Sequence, residues 1–307
     1  MSDDQLLLDN LIRHFESEGL TTCYVRIMRE GDISAEYNRI RLARLPVWSI
    51  SKGFASIAVG IAMDEGLISI EDKVVDIFPE QCAYRKSDNL DDVTLYHLLT
   101  MSSGLKSDSG FEREDVRHSD MDHLALFFGA DFETPGTRWR YSSLSTYVLA
   151  RAIEKKASMG FLEYLKPRLF DKIDIKNPEW DTCLRGHAFG GFGLHLTIEE
   201  MARYSTLILN YGQYRKNRVV SRRYMEEAST CKFDNSDMLR GEKKAFWGYG
   251  YGYHFAMNPM HGFRSDGMFG QFAIALPDIG VSIAMMSLED NTARLGTLLY
   301  EELVNRL

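Results

Sequence analysis

The feature that most constrains the fold is an apolar helix that carries one lysine in its first turn. The segment GFASIAVGIAM, residues 53–63, contains no charged side chain, and a helix that is apolar on every side is buried on every side. Lys52 precedes this segment, at a helix end where the helix dipole disfavours a cation and burial disfavours an unpaired charge. The sequence therefore predicts a buried helix from residue 49 to about residue 66, with Lys52 present for chemistry.

Ser49 lies three residues before Lys52, and this spacing places two side chains on one face of a helix. Burial lowers the pKa of a lysine, so the amine can accept the proton of Ser49 and leave a nucleophilic oxygen. The alternative is that Ser49 caps the helix and Lys52 extends to solvent. A capping box would place Glu or Gln at position 52, so the catalytic interpretation is favoured. Two further Ser-x-x-Lys matches, 103–106 and 229–232, lie in a turn and at the end of a helical pattern.

A second group of candidates, Tyr141 and Ser143, stands just before another helical pattern, LSTYVLARAIEKKA. A tyrosine at such a position is usually a core residue, and Ser143 or Ser145 could cap the helix. Beside a Ser-Lys pair, however, a phenol held near an ammonium can act as a proton acceptor. Tyr141 is therefore a candidate for proton transfer.

A third candidate group lies in the segment GFRSDGMFGQFAIALPD. One interpretation is a hairpin, because Asp-Gly between strand-like flanks is a turn signal. In the other, Ser265, Asp266 and Gly267 form a strand that lines a cleft, with Gly267 allowing the substrate to approach the backbone. The next amide, that of Met268, would then join the amide of Ser49 in an oxyanion hole. The sequence alone leaves both interpretations open.

Segments typical of strands occur at both ends of the sequence, and helical patterns occur between them. TTCYVRIMREGDISAEYN predicts two strands around Gly31-Asp32, and AFWGYGYGYHFAM, GQFAIALPD and GVSIAMMSL predict strands near the end. We therefore expect one sheet domain built from residues 1–48 together with 240–307, and a mainly helical domain of residues 49–239. The ligand cleft is expected between these two parts.

Charge and composition narrow the choice of partners and compartment. The formal net charge of −8 argues against nucleic acid or an anionic membrane as a partner. The segment MSDDQLLLDNLIRHFESEG has neither the basic start nor the long apolar core of a signal peptide, and no later run has the length of a membrane span. Four scattered cysteines indicate reduced thiols. We therefore expect a cytoplasmic protein that acts on a small molecule.

The segment EREDVRHSDMDH, residues 112–123, offers side chains of metal-ligand type in His118, Asp120, Asp122 and His123. Mixed charges before a helix are more typical of a solvated loop with acidic residues at the helix N-terminus. We therefore expect no metal site here.

The three candidate groups, in this order and spacing, resemble the boxes of the serine beta-lactamase and penicillin-binding protein superfamily. Residues 49–52 are similar to its Ser-x-x-Lys box, residues 141–143 to its Tyr-x-Asn or Tyr-x-Ser box, and residues 265–267 stand where Lys-Thr-Gly or His-x-Gly is found. The segments TLYHLLTMSSGL, PGTRWRYSS and GGFGLHLTIEEMARYSTLILNYGQY are similar as well. The likeness covers about residues 20–300 and is strongest to the class C beta-lactamase-like branch, which includes serine esterases, D-alanyl-D-alanine carboxypeptidases and 6-aminohexanoate-dimer hydrolase.

This resemblance implies an α+β, beta-lactamase/transpeptidase-like fold, with a five-stranded antiparallel sheet flanked by terminal helices and a mainly α-helical domain beside it. It implies that Ser49 attacks a carbonyl carbon, that Lys52 and Tyr141 transfer protons, and that water releases the acyl-enzyme. It also implies substrate contacts from Ser143 and from residues 265–267, and neither a metal nor another cofactor.

Two departures from the pattern of the superfamily bear on the substrate. Ser265 stands where a cationic or imidazole residue holds the substrate carboxylate, and the neighbouring Arg264 should point to the opposite face of the strand. Ser143 stands where an asparagine contacts the acyl-amide side chain. We therefore expect a carboxylesterase acting on small esters or amides. The alternatives are a D-alanyl-type carboxypeptidase, an amidase or a weak beta-lactamase, and a catalytically silent relative that binds a small ligand.

Overall fold

Both ends of the chain contribute strands to one antiparallel sheet. The structure is a computed structural model that describes residues 2–108, 110–241 and 246–307. Its strands are β1 (Tyr24–Arg29), β2 (Asp32–Asn38), β3 (Leu45–Pro46), β4 (Glu179–Trp180), β5 (Leu194–Leu196), β6 (Gln213–Tyr214), β7 (Asn217–Arg218), β8 (Ala256–Met257), β9 (Phe263–Gly267), β10 (Gln271–Leu276) and β11 (Val281–Met286). The main sheet has the order β2-β1-β11-β10-β9-β8, with antiparallel pairing throughout. Because β8 has only two residues, the predicted five-stranded sheet is present with one short strand added at its edge.

Helices cover both faces of this sheet and occupy the middle of the chain. They are α1 (Asp3–Ser17), α2 (Ser51–Asp64), α3 (Val74–Ile77), α4 (Leu95–Leu99), α5 (Glu114–Arg117), α6 (His123–Phe128), α7 (Ser143–Ala157), α8 (Phe161–Leu165), α9 (Ile198–Leu209), α10 (Arg222–Ala228) and α11 (Thr292–Glu302). The terminal helices α1 and α11 share an apolar core with Val25 and Ile283 on one face, while α9 packs on the opposite face. The expected α+β class is confirmed, and the domain division at residues 48 and 240 stays a prediction.

Helix α2 is enclosed by the rest of the chain, as its uncharged sequence predicts. Every residue from Ser51 to Ala62 is buried, and the helix packs against α7 and α10. The hydrophobic effect therefore favours this position for the whole helix rather than for one face of it. Among the described helices, none combines the length and the apolar composition needed to cross a membrane.

The start of α2 differs from the prediction by two residues. Residues Trp48–Ile50 form a 3₁₀ turn, and the α-helix begins at Ser51. Within the described residues 47–64, neither the turn nor the helix has a side-chain cap. The alternative role of Ser49 as a helix cap is therefore wrong.

Residues 246–255 of the aromatic, glycine-rich segment do not form the predicted strand. Tyr251 makes isolated bridges, and regular pairing begins only with β8. Gly250 and His254 have φ values of +106° and +61°, which lie outside the extended region that strands require. The backbone therefore turns where the aromatic composition predicted extension. Ala245, the first residue of that prediction, lies outside the described residues.

Candidate active site

A tight turn before α2 presents Ser49 at the end of the buried helix. Trp48 has φ +50°, a conformation that bulky residues rarely adopt and that is concentrated at functional sites. The amide of Val47 donates to the carbonyl of Leu194 (2.9 Å). Ser51 Oγ donates to the carbonyl of Trp48 (2.6 Å) and accepts from the amide of Leu194 (3.2 Å). Strand β5 thus fixes the backbone that carries Ser49.

Ser49 and Lys52 are in direct contact, as their spacing predicts. The Nζ atom of Lys52 lies 3.1 Å from Oγ of Ser49. Lys52 is only 1% exposed, whereas Ser49 is partly exposed. A buried amine against an accessible hydroxyl is the arrangement that activation of a serine nucleophile requires.

Two further acceptors surround the amine of Lys52. Its Nζ lies 2.9 Å from Oγ of Ser143 and 2.8 Å from the carbonyl oxygen of Gly191. A Cβ atom at position 191 would lie 3.1 Å from Cβ of Ser143, so glycine lets this loop approach the amine closely. Together with Ser49, these groups satisfy all three hydrogen-bonding positions of the nitrogen.

The position of Ser143 depends on how α7 is capped. Ser142 is the N-cap residue, and its hydroxyl accepts from the amide of Ser145 (2.9 Å). The expectation that Ser143 or Ser145 caps this helix is therefore wrong. Because Ser142 caps α7, the hydroxyl of Ser143 is available to Lys52. Ser143 is 1% exposed, so it contacts the amine from inside the protein.

Burial makes the amine of Lys52 easier to deprotonate than that of an ordinary lysine. Desolvation lowers the pKa of Lys52 to about 8, and the charges of Glu112, Asp108 and Asp266 oppose the decrease. The neutral form is therefore accessible near neutral pH, which is the condition for a general base.

Tyr141 covers the same amine with its ring. The Nζ atom of Lys52 lies 4.5 Å from the centre of that ring, within the range of a cation–π contact. Tyr141 is 39% exposed, but desolvation of its phenol by the surrounding groups raises the pKa above its ordinary value, and a hydrogen bond with Ser49 opposes the rise. The phenol is therefore neutral near neutral pH, and its proton is available to a group bound at Ser49.

Further aromatic rings lie beside these groups. Trp139 and Tyr251 contact Tyr141 with ring centroids 6.2 and 6.4 Å away. Phe269 packs edge-on against Trp48 at 5.2 Å. Aromatic rings therefore border both Tyr141 and the turn that carries Ser49.

The hydroxyl of Ser265 is bound within the protein. Ser265 is 3% exposed, and its Oγ is 2.7 Å from the hydroxyl of Tyr204. Both oxygens lie close to Gly53 of α2. An added Cβ atom at that position would be 2.0 Å from the hydroxyl oxygen of Tyr204 and 2.4 Å from Oγ of Ser265. The hydroxyl of Ser265 is therefore occupied by an internal hydrogen bond at the contact between β9 and α2, and a contact of Ser265 with substrate stays a prediction.

Asp266 and Arg264 share the opposite face of β9, as strand alternation predicts for Arg264. The carboxylate of Asp266 accepts from Nε of Arg264 (2.9 Å) and from Nε1 of Trp247 (2.8 Å). Arg264 is fully buried and stacks on Phe246, with 4.4 Å between the guanidinium carbon and the ring centre. The carboxylate of Asp266 is therefore engaged within the protein, and its contact with substrate stays a prediction.

Gly267 lies against the turn that carries Ser49. A Cβ atom at position 267 would lie 2.5 Å from the carbonyl oxygen of Val47 and 3.3 Å from the amide nitrogen of Ser49. The structure thus shows a close approach to the backbone of the protein that itself requires glycine, and the approach of substrate to Gly267 stays a prediction. Residues 268–270 form the turn between β9 and β10, so the hairpin is present but Asp266 and Gly267 belong to its strand.

Two carboxylates near Ser143 were missed by the sequence patterns. The carboxylate of Glu112 accepts from Oγ of Ser143, and Oδ2 of Asp108 accepts from the amide of Ser143 (3.1 Å). Glu112 belongs to the segment expected to be a solvated loop, and it is exposed as expected, but its carboxylate also binds the buried hydroxyl of Ser143. The contact joins residues 31 positions apart, a separation at which no local spacing rule applies.

His254 is a buried histidine near this site that the sequence patterns also missed. It is 3% exposed, and its Nε2 lies 3.1 Å from Oγ1 of Thr146. Burial, together with the charge of Lys52, lowers the pKa of His254 to about 3. The imidazole is therefore neutral at ordinary pH and supports the packing around the amine.

Asp122 and His123, two of the four candidate metal-ligand residues in 118–123, serve separate structural roles. Asp122 caps α6 by accepting from the amide of Leu124 (3.0 Å). His123 is fully buried, and its ring packs on Phe111 at 5.2 Å. Across the described part of the chain, no three side chains of metal-ligand type come together.

The sheet, the flanking helices and the Ser-x-x-Lys geometry are those of the beta-lactamase and transpeptidase-like class of proteins. Residues 42–303 match the family model described as Beta-lactamase. The chain therefore belongs to the beta-lactamase family, a family of serine hydrolases, and the resemblance drawn from the three sequence groups is confirmed.

Individual relatives are distant in sequence. A 6-aminohexanoate-dimer hydrolase from Paenarthrobacter ureafaciens is 24% identical over 222 residues, which cover 65% of this chain and 55% of that protein. The chain thus spans about half or less of the length of the curated relatives it matches. A family VIII carboxylesterase (TM-score 0.74, 15% identity, 100% of this chain and 98% of that one) has the same fold. So does a D-stereospecific amidohydrolase from a Streptomyces species (0.73, 16%, 98% and 99%).

Proposed function

We propose that this chain is a serine hydrolase that cleaves small carboxylic esters through an acyl-enzyme on Ser49. The observation that carries the proposal is the 3.1 Å contact between Nζ of Lys52 and Oγ of Ser49, made by an enclosed amine whose pKa is lowered to about 8. Membership in the beta-lactamase family supports it. Structural neighbours described as a carboxylesterase and an amidohydrolase point to the same chemistry.

In the proposed acylation, the neutral amine of Lys52 accepts the proton of Ser49 while Oγ forms a bond to the carbonyl carbon. The amides of Ser49 and Met268 hold the negative charge that develops on the carbonyl oxygen. Tyr141 donates its phenolic proton to the leaving oxygen as the carbon–oxygen bond breaks, and it regains a proton from Lys52. The alcohol leaves, and the acyl group remains on Ser49.

The proposed deacylation uses the same groups with water in place of the alcohol. The amine of Lys52 accepts a proton from water as the water oxygen bonds to the acyl carbon. The bond from that carbon to Oγ of Ser49 then breaks, and the ammonium of Lys52 returns the proton to Oγ, which restores the neutral amine. The free acid is released, and no metal or other cofactor takes part in the proposed cycle.

The charges around the amine favour an uncharged ester over a substrate that carries a carboxylate. Arg264, the cation of β9, points away from Ser265 and is bound by Asp266. The carboxylates that act on the amine are those of Glu112, Asp108 and Asp266. Like charges close together repel, so D-alanyl peptides and beta-lactams, which carry a carboxylate, are disfavoured as substrates.

A fluorophosphonate probe tests the proposed nucleophile. We expect intact-mass and peptide analysis to show one covalent adduct on Ser49, because the probe reacts with an activated serine. The adduct should be lost in Ser49→Ala. Ser229→Ala is the matched control, since Ser229 also precedes a lysine by three residues, but its hydroxyl donates to the carbonyl of Met225 (2.8 Å). This variant should label like the unchanged chain.

Substrate panels separate the alternatives. No adduct on Ser49, together with no hydrolysis of p-nitrophenyl butyrate, would contradict the proposal and favour a catalytically silent ligand-binding protein. Turnover of nitrocefin, an amide or a D-alanyl peptide above that of esters would contradict the ester preference. That result would contradict only the ester preference, and the proposed acyl-enzyme on Ser49 would still stand.

A further inference from the structure

Ser143 connects the amine of Lys52 to a carboxylate at the surface. Its Oγ lies 2.9 Å from Nζ of Lys52, and the same oxygen is hydrogen-bonded to the carboxylate of Glu112. A hydroxyl has a single proton, and an ionised carboxylate can only accept. The proton of Ser143 therefore points to Glu112, and only lone pairs of Ser143 are left to face Lys52.

This orientation determines where the lone pair of a neutral Lys52 can point. A neutral amine has two protons and one lone pair. The carbonyl oxygen of Gly191, 2.8 Å away, accepts one proton, and Ser143 accepts the other because its own proton is held by Glu112. Ser49 is the third neighbour of the nitrogen, at 3.1 Å, and the lone pair is left to face its hydroxyl.

We propose that Glu112 is a positioning residue which, through Ser143, directs the lone pair of Lys52 to the proton of Ser49. The inference rests on the proposed function, because it concerns the activation of the same nucleophile. Without the carboxylate, Ser143 can donate its proton to Lys52 and occupy the lone pair that Ser49 needs. Glu112 thus selects the productive one of two hydrogen-bond arrangements.

The charge of Glu112 has a second and opposite effect. Lys52 faces the carboxylates of Glu112, Asp108 and Asp266, the ring of Tyr141 and the neutral His254. Glu112 is the strongest of the three carboxylates in raising the pKa of Lys52. Removing its charge should therefore lower the pKa of the amine and increase its neutral fraction. A variant without this charge should therefore have a larger fraction of neutral Lys52 and yet acylate Ser49 more slowly. A purely structural role of Glu112 does not predict this combination.

The test is the pH dependence of single-turnover acylation in Glu112→Leu, which removes both the charge and the acceptor for the proton of Ser143. Acylation is followed with a p-nitrophenyl ester and with the fluorophosphonate probe. We expect the plateau rate at high pH to fall about tenfold, the scale of one misdirected charge-assisted hydrogen bond. The acid limb of the pH profile should move to lower pH at the same time. Glu112→Asp retains the charge and should keep the acid limb of the unchanged chain. Glu114→Leu, two residues away on the surface, is the matched control and should change neither quantity.

A double-mutant cycle tests whether the effect passes through Ser143. In a Ser143→Ala background, Glu112→Leu should cause no further loss of plateau rate. An equal loss in both backgrounds would overturn the role of Ser143, and an unchanged plateau and acid limb in Glu112→Leu would overturn the whole inference. Both results can be interpreted only if Ser49 of the unchanged chain reacts with the fluorophosphonate probe. If it does not, the proposed function itself fails.

Discussion

Lys52→Arg is expected to lower kcat/KM for a short p-nitrophenyl ester by about 10³-fold, within the range that general-base catalysis contributes. Arginine keeps the positive charge, but its guanidinium remains protonated throughout the accessible pH range. It can donate to the carbonyl of Gly191 and to Ser143, yet it cannot accept the proton of Ser49. The decrease in kcat/KM therefore reports the base function of the amine, because the positive charge is retained.

The pH dependence of the unchanged chain is the second part of this prediction. Burial lowers the pKa of Lys52 to about 8, and a base acts in its unprotonated form. The rate should therefore rise about tenfold per pH unit on the acid side and level off above about pH 8. The residual activity of Lys52→Arg should lack this rise.

Lys155→Arg provides the control for Lys52→Arg. Lys155 is on the surface and pairs with Glu80 at 2.7 Å, so the exchange should leave kcat/KM unchanged. If Lys52→Arg retained the activity of the control, or if the rate of the unchanged chain did not vary between pH 6 and 9, the ammonium would act only as a fixed charge. Tyr141 would then be the remaining candidate for the base.

Gly267→Ala is expected to reduce kcat about 10²-fold, the effect of losing one oxyanion-hole donor. The added Cβ atom would lie 2.5 Å from the carbonyl oxygen of Val47 and 3.3 Å from the amide of Ser49. Both are backbone atoms of the turn that carries the nucleophile, so the turn and β9 must separate. This separation moves the amide of Ser49 away from that of Met268. Overpacking of this kind also destabilises a fold by about 1–3 kcal/mol.

Gly160→Ala is the control for Gly267→Ala, because its Cβ atom would meet only Glu163 at 4.0 Å. Steady-state kinetics and thermal unfolding of the two variants separate loss of activity from loss of stability. A Gly267→Ala variant that keeps the kcat of the control would show that β9 supplies no part of the oxyanion hole. The assignment of Met268 would then be wrong.

The central helix and its Ser-Lys pair could be predicted because both depend on residues within a few turns of one another. The absence of charge over residues 53–63 is sufficient to predict burial. The spacing of Ser49 and Lys52 is sufficient to predict contact. The α-helix starts two residues late where β5 contacts Val47 and Ser51, and these contacts are not contained in the local pattern.

The surroundings of this pair could not be predicted, because they depend on contacts between distant segments. Ser265 binds Tyr204, which lies 61 residues away, and Glu112 reaches Ser143 across 31 residues. The resemblance to the superfamily suggested substrate contact for Ser265, and the mixed charges of residues 112–123 suggested solvent for Glu112. Tertiary packing gives Ser265 an internal partner and brings the carboxylate of Glu112 to a buried hydroxyl.

The aromatic segment failed as a strand prediction for a different reason. Its composition favours extended structure, but Gly250 and His254 adopt positive φ values that break the pairing. The same turns place Tyr251 against Tyr141. Composition therefore identified a segment that borders the site but not its backbone conformation.

A titration of the lysine side chains by NMR tests most directly whether the amine of Lys52 can act as a base. With lysine labelled with ¹³C at Cε, the chemical shift of each side chain reports the protonation of its own amine. We predict one resonance with a pKa of about 8, well below the value of about 10.4 for an ordinary lysine, and the absence of this resonance from Lys52→Arg. A Lys52 resonance that titrates at or above the ordinary value would contradict proton transfer from Ser49 to this amine.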